Sequence, residues 1–146
     1  MEITPEKERA IREKFEINHF SRLLGFKIDS VKPGRAVLSV DVRKELTQLQ
    51  GVMHGGATAA LIDTAVAFAI VGASEPGARF TTVEMKVNYL RPISEGRITA
   101  EAWLIRDGRR IVVAECDVLD SAGRLAAKGL LTYIRLDDPA DKNAGE

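Results

Sequence analysis

His54-Gly55-Gly56-Ala57-Thr58-Ala59-Ala60-Leu61-Ile62-Asp63-Thr64-Ala65-Val66-Ala67-Phe68-Ala69-Ile70-Val71 is the stretch whose character decides the fold. After the glycine pair it is alanine mixed with other good helix formers, with no proline or further glycine up to Val71, so it predicts a long helix. Apolar residues fall on nearly every side of that helix, and a helix of this kind must be covered on most sides. It therefore belongs at the centre of a domain, and Gly72, Pro76 and Gly77 are expected to end it. Thr58, Asp63 and Thr64 interrupt the run, which falls short of the roughly 20 apolar residues of a membrane span.

Downstream, the two-residue period of half-buried strands takes over. Val83, Met85, Val87 and Tyr89 alternate with Thr82, Glu84, Lys86 and Asn88, and Ile98, Ala100, Ala102 and Leu104 repeat the pattern. Asp107-Gly108 offers a tight hairpin turn into a strand from about Arg110 to Leu119, and a turn over Asp120 to Gly123 leads into a last strand from Leu125 to Leu136. Upstream, Ala36, Leu38, Val40 and Val42 mark an earlier strand. Thr4-Pro5-Glu6 has the capping hydroxyl, first-turn proline and acid of a helix start, so a first helix should run to about Asn18. Phe15, Ile17, Phe20, Leu23 and Leu24 are expected to form its inner face and a second short turn, closed by Gly25 in a left-handed cap. Four strands after the helix read as an antiparallel meander and, with the earlier strand, give a sheet of five or more with the long helix on its concave face. The class is α+β: an antiparallel β-sheet wrapped around a long central α-helix, the hotdog arrangement. Residues 1–24 are assigned to an N-terminal helical segment, 25–136 to the domain proper and 137–146 to a disordered tail.

With 146 residues the chain suits one domain, and 45% apolar against 29% charged residues is ordinary for a folded protein. Twenty-one basic and 21 acidic residues cancel, so no global field favours nucleic acid or an anionic membrane, and an anionic ligand must be met by local groups. The single Cys116 excludes an internal disulfide; with His19 and His54 far apart in the chain, no metal site and no cofactor is expected. The charged opening, MEITPEKERAIREKFE, lacks the apolar core of a secretory signal, which predicts a cytoplasmic protein.

Asp63 asks for an explanation. Its helical neighbours Ala59, Ala60, Val66 and Ala67 are small and apolar, where an unpaired charge is costly. Either it meets a partner in the core, or it faces a cleft as a working carboxylate. Gly55 and Gly56 open the helix, where backbone N–H groups lack internal partners and a carbonyl oxygen can come close; they suit an oxyanion hole, or simply a tight turn. Gly55 and Asp63 are eight residues apart, about 12 Å along a helix. One helix cannot easily bring both to one carbonyl carbon, so a site using both would be shared by two subunits. His54 has no serine or cysteine that can be paired with it from sequence, and fixing the turn by hydrogen bonding is the favoured reading.

Gly51-Val52-Met53-His54-Gly55-Gly56 followed by Ala60-Leu61-Ile62-Asp63-Thr64-Ala65 resembles the PaaI-like branch of the hotdog thioesterases. Thr81 to Pro92 and Gly123 to Gly129 look like that family's strand after the helix and its last strand, and the likeness spans roughly Leu24 to Leu136. The resemblance implies hydrolysis of acyl-CoA thioesters, with Asp63 as general base or nucleophile, the Gly55 N–H polarising the carbonyl across a dimer interface, and Thr82 helping to position the attacking water. Gln48, His54, Gly56 and Arg91 are the candidates for contact with the substrate. Relatives often carry Asn where Gln48 stands, one methylene shorter. Arg91, Arg97, Arg109, Arg110 and Lys128 are candidates for the CoA phosphates, and a dimer of dimers is implied. The sequence leaves the acyl group open among phenylacetyl, benzoyl and medium-chain groups. The rival functions are an acyl-CoA-binding regulator without catalysis and a dehydratase; for the latter, the expected partner of Asp63 in the helix is missing.

Overall fold

A computed structural model describes residues 2–136. The tail expectation falls on 137–146, outside the described residues. Helix α1 (Pro5–Glu16) starts where Thr4 accepts a hydrogen bond from the Lys7 N–H, and α2 (His19–Leu24) is capped by Asn18 and closed by Gly25 at φ 76°. Strands β1 (Lys27–Lys32) and β2 (Arg35–Asp41) form a hairpin, a single 3-10 turn (Lys44–Leu46) follows, and then comes the long helix α3 (Gly55–Ala73). Strands β3 (Phe80–Tyr89), β4 (Arg97–Asp107), β5 (Ile111–Leu119) and β6 (Leu125–Arg135) complete one six-stranded antiparallel sheet in the order β1-β2-β4-β5-β6-β3.

The core forms between α3 and this sheet. Leu61, Ile62, Ala65, Val66, Ala69 and Ile70 of the helix are fully buried, as are Leu38, Ile98, Ala100, Val112, Ala114, Val118 and Leu131 of the strands. Cutting Leu61 or Leu131 back to alanine would cost about 2–5 kcal/mol through lost burial and the cavity left behind. Contrary to the expectation that it falls short, the helix is long and apolar enough to cross a membrane by length and composition, but 56% of that stretch is buried inside the protein.

Several expectations change. Strand β1 was not foreseen: its burial pattern is mostly exposed and half-buried, and a bulge between Ile28 and Ser30 breaks its period. Strand β3 pairs with β6 and not with β4, because β2 already occupies the free side of β4; the meander is β4-β5-β6 alone. The tight β4–β5 hairpin turns two residues later than expected, over Arg109 and Arg110: Asp107 pairs with Val112 and the Gly108 N–H donates to the Ile111 carbonyl. Of the expected inner face of the first helices, Phe15 is buried with Ile11 beside it, but Ile17, Phe20 and Leu23 are more than half exposed. Helix α1 ends at Glu16, so its register carries only Ile11 and Phe15 onto Phe68 and the core.

Gly72 lies inside α3 and does not end it; the cap is Ser74. A methyl at Gly72 would sit 2.4 Å from the Lys32 carbonyl oxygen, so this glycine lets the end of β1 lie directly against the helix.

Candidate active site

The N-terminus of α3 is built by His54. Its backbone is extended, and its Nδ1 accepts the Gly56 N–H at 2.8 Å, so the imidazole caps the helix. Gly56 must lack a side chain for this, since a Cβ there would lie 2.9 Å from Nδ1. The cap uses the Gly56 N–H and leaves that of Gly55 without a partner among the described residues, at the positive end of the helix dipole. The Tyr89 hydroxyl donates to the Gly55 carbonyl at 2.8 Å and its ring lies over Gly55, where a Cβ would come within 3.3 Å.

Around this terminus lies a groove of about 360 Å³ lined by Gln48, Met53, Gly55, Tyr89, Arg91 and Ala126, among others. Gln48, Gly55 and Arg91 are thus brought together. Gln48 is held on a turn closed by the Gly51 N–H on the Gln48 carbonyl, and the exposed Arg91 side chain is unpaired among the described residues. Two other candidate cations are already engaged: Arg97 pairs with Asp29 at 2.6 Å, and Lys128 pairs with Asp117 at 2.8 Å and Glu115 at 3.2 Å and sits over the Trp103 ring. Neither offers a free charge to a phosphate.

Asp63 lies two turns further along α3, half-buried, in a second cluster. Its Oδ1 accepts the Thr82 hydroxyl at 2.8 Å and the Tyr133 hydroxyl at 2.5 Å; Tyr133 also reaches the Asp63 backbone carbonyl at 2.8 Å. Its Oδ2 receives no hydrogen bond among the described residues and is not sealed from solvent. Tyr133 is 3% exposed, and burial, together with the Asp63 charge, pushes its phenol well above the ordinary range, so it is a standing donor.

Thr82 reaches Asp63 because β3 is bulged. The register skips Val83, so Thr82 opposite Tyr133 shares the inner face with Met85 and Val87, where strict alternation would have turned it outward. Tyr133 was missed; on β6 it lies in a run of alternating burial and looks like any core aromatic. Cys116 is buried and its thiol is pushed up by burial, which leaves it structural.

The two clusters occupy opposite ends of β3: Tyr89 touches Gly55, and Thr82 touches Asp63. Strand β3 therefore runs antiparallel to α3, and it is also the edge of the sheet.

Comparison with known proteins agrees with this architecture. A family model described as the thioesterase superfamily matches residues 50–127, from the loop before α3 into β6. Human acyl-coenzyme A thioesterase 13 is 29% identical over 130 residues, covering 87% of this chain and 92% of that protein. A thioesterase family protein from Silicibacter pomeroyi has a structure similar to this one at a TM-score of 0.83, with 31% identity over 90% of this chain and 99% of its own. A mutant of the phenylacetic acid degradation protein PaaI from Thermus thermophilus gives 0.74, also at 31% identity, over 80% and 98%.

Proposed function

The chain belongs to the thioesterase superfamily, and on that premise we propose that it hydrolyses acyl-CoA thioesters to a carboxylic acid and free CoA, with Asp63 as the general base. The observation that carries this reading is the asymmetry of the Asp63 carboxylate: one oxygen is held by two hydroxyls and the other is left open on a half-buried helix face. A carboxylate whose only task was to be satisfied in the core would be expected to use both oxygens.

In the proposed reaction Asp63 takes a proton from water as the water oxygen bonds to the thioester carbonyl carbon. The charge that develops on the carbonyl oxygen meets the Gly55 N–H and the positive end of α3. The tetrahedral species then collapses, the carbon–sulfur bond breaks, and the proton passes to the leaving thiolate. Thr82 orients the carboxylate, His54 accepts the Gly56 N–H and so fixes the turn that presents Gly55, and Gln48 and Arg91 line the approach at the α3 N-terminus.

About 12 Å of helix separates Gly55 from Asp63, so the two act on one carbonyl only if they come from different subunits. The edge strand supports this. A two-fold pairing of β3 with its copy, centred near Met85 and Lys86, would set the Thr82 end of one strand against the Tyr89 end of the other. Each such dimer would hold two sites, each with Asp63 from one subunit and Gly55 from its partner; a dimer of dimers is the assembly we propose in solution.

The test is thiol release from a panel of aromatic and aliphatic acyl-CoAs by wild type and Asp63→Asn. Asp63→Asn should lower kcat by about 10²–10⁴-fold in a protein that still folds and assembles. A wild type that binds acyl-CoA and releases no thiol from any of the panel would instead make it a binding protein.

A further inference from the structure

We infer that Tyr133 is a positioning residue that turns Asp63 so that Oδ2, and not Oδ1, is the reacting oxygen. The inference rests on the thioesterase reading and adds to it a residue and a choice of atom. The Tyr133 hydroxyl lies within hydrogen-bond distance of two acceptors on the same residue, the Asp63 carbonyl at 2.8 Å and Oδ1 at 2.5 Å. A donor that touches both the backbone and the side chain of one residue fixes the torsion between them, and Thr82 on the same Oδ1 fixes the carboxylate plane. With Oδ1 occupied by two donors, its lone pairs are spent on the core side, and the basic lone pairs that remain accessible belong to Oδ2.

Other features of the phenol suit a fixed arm. The ring is buried and packs edge-on against Phe80 at 5.9 Å between centroids, so it cannot swing away without opening the core. Burial and the neighbouring Asp63 charge keep it protonated, so the bond is not titrated away. The contact also spans strands: Tyr133 on β6 lies opposite Thr82 on β3, and the two hydroxyls approach Asp63 as a pair set by that register. Tyr133 touches no solvent-facing surface and acts through Asp63 alone.

The experiment compares Tyr133→Phe with wild type, keeping the ring and removing only the hydroxyl. We expect kcat on the best acyl-CoA of the panel to fall about tenfold to a hundredfold, because small misplacements of a reacting group cost about that much. KM should stay within about twofold, since Tyr133 contacts no substrate. A kcat within about twofold of wild type, or a loss shared equally by KM, overturns the inference.

If the variant does not fold, the readout moves to wild-type protein labelled with 3-fluorotyrosine. The chain has two tyrosines and so gives two fluorine resonances. The Tyr133 resonance, assigned as the one that remains in Tyr89→Phe, should shift in Asp63→Asn, and a Tyr133 resonance that does not respond refutes the clamp. Asp63→Asn separates the two failures: if it is as active as wild type, the thioesterase reading of Asp63 falls; if it is inactive while Tyr133→Phe is normal, only the clamp falls.

Discussion

At the scale of single residues, the site rests on groups whose ordinary roles have been redirected. His54 has the position of a base in the sequence, yet its Nδ1 is committed to the Gly56 N–H, which leaves it the work of a helix cap. His54→Ala should therefore destabilise the protein by about 0.5–2 kcal/mol, while His54→Asn, which keeps a capping oxygen, should recover most of that loss; thermal melts of the two variants check it, and equal melting temperatures for both would speak against the cap. The cap reading was legible in the sequence, because no nucleophile could be matched to His54. The donors on Asp63 were legible only in part: Thr82 came through family resemblance, while Tyr133, 70 residues away in the chain, carried no local signal at all.

At the scale of elements, small residues and bulges decide what meets. Replacing a glycine by alanine inside an exposed helix usually gains about 1 kcal/mol. At Gly72 the opposite is expected, because the new methyl would lie 2.4 Å from a backbone oxygen of β1 and neither the strand nor the helix is a flexible side-chain end that can give way. Gly72→Ala should cost about 1–3 kcal/mol net, the range for overpacking, read as a lower denaturation midpoint in urea. The bulge at Val83 works in the same way on β3: one extra residue changes which side chains face α3 and delivers Thr82 to Asp63. Periodicity finds strands by their alternation, so a residue that breaks alternation is misassigned to the opposite face.

At the scale of the whole molecule, the separation of Gly55 from Asp63 along one rigid helix is the strongest reason to expect shared sites. Mixing inactive Asp63→Asn with inactive Gly55→Val tests it. In a random mixture about half the dimers are heterodimers, and each would carry one site with neither substitution and one with both, so re-assembly should restore about a quarter of wild-type thiol release. Sites confined to one chain would give no recovery. The Gly55→Val side chain would also press on the Tyr89 ring, so the variant's folding should be checked alone before mixing.

The sequence by itself determined the central helix, the period of the core strands, the capping of both ends of the N-terminal helical segment and the isolation of Asp63 among alanines, because each of these is written in neighbours within one or two turns of a helix or a few residues of a strand. It also set the distance between Gly55 and Asp63, which is a property of helix geometry alone. Only the tertiary structure decided that β3 is the sheet edge, that its bulge turns Thr82 inward, and that Tyr133 closes on the same carboxylate oxygen. Those are meetings between residues far apart in the chain, and what sets them is the packing of strand against strand and sheet against helix, to which no local pattern is tied.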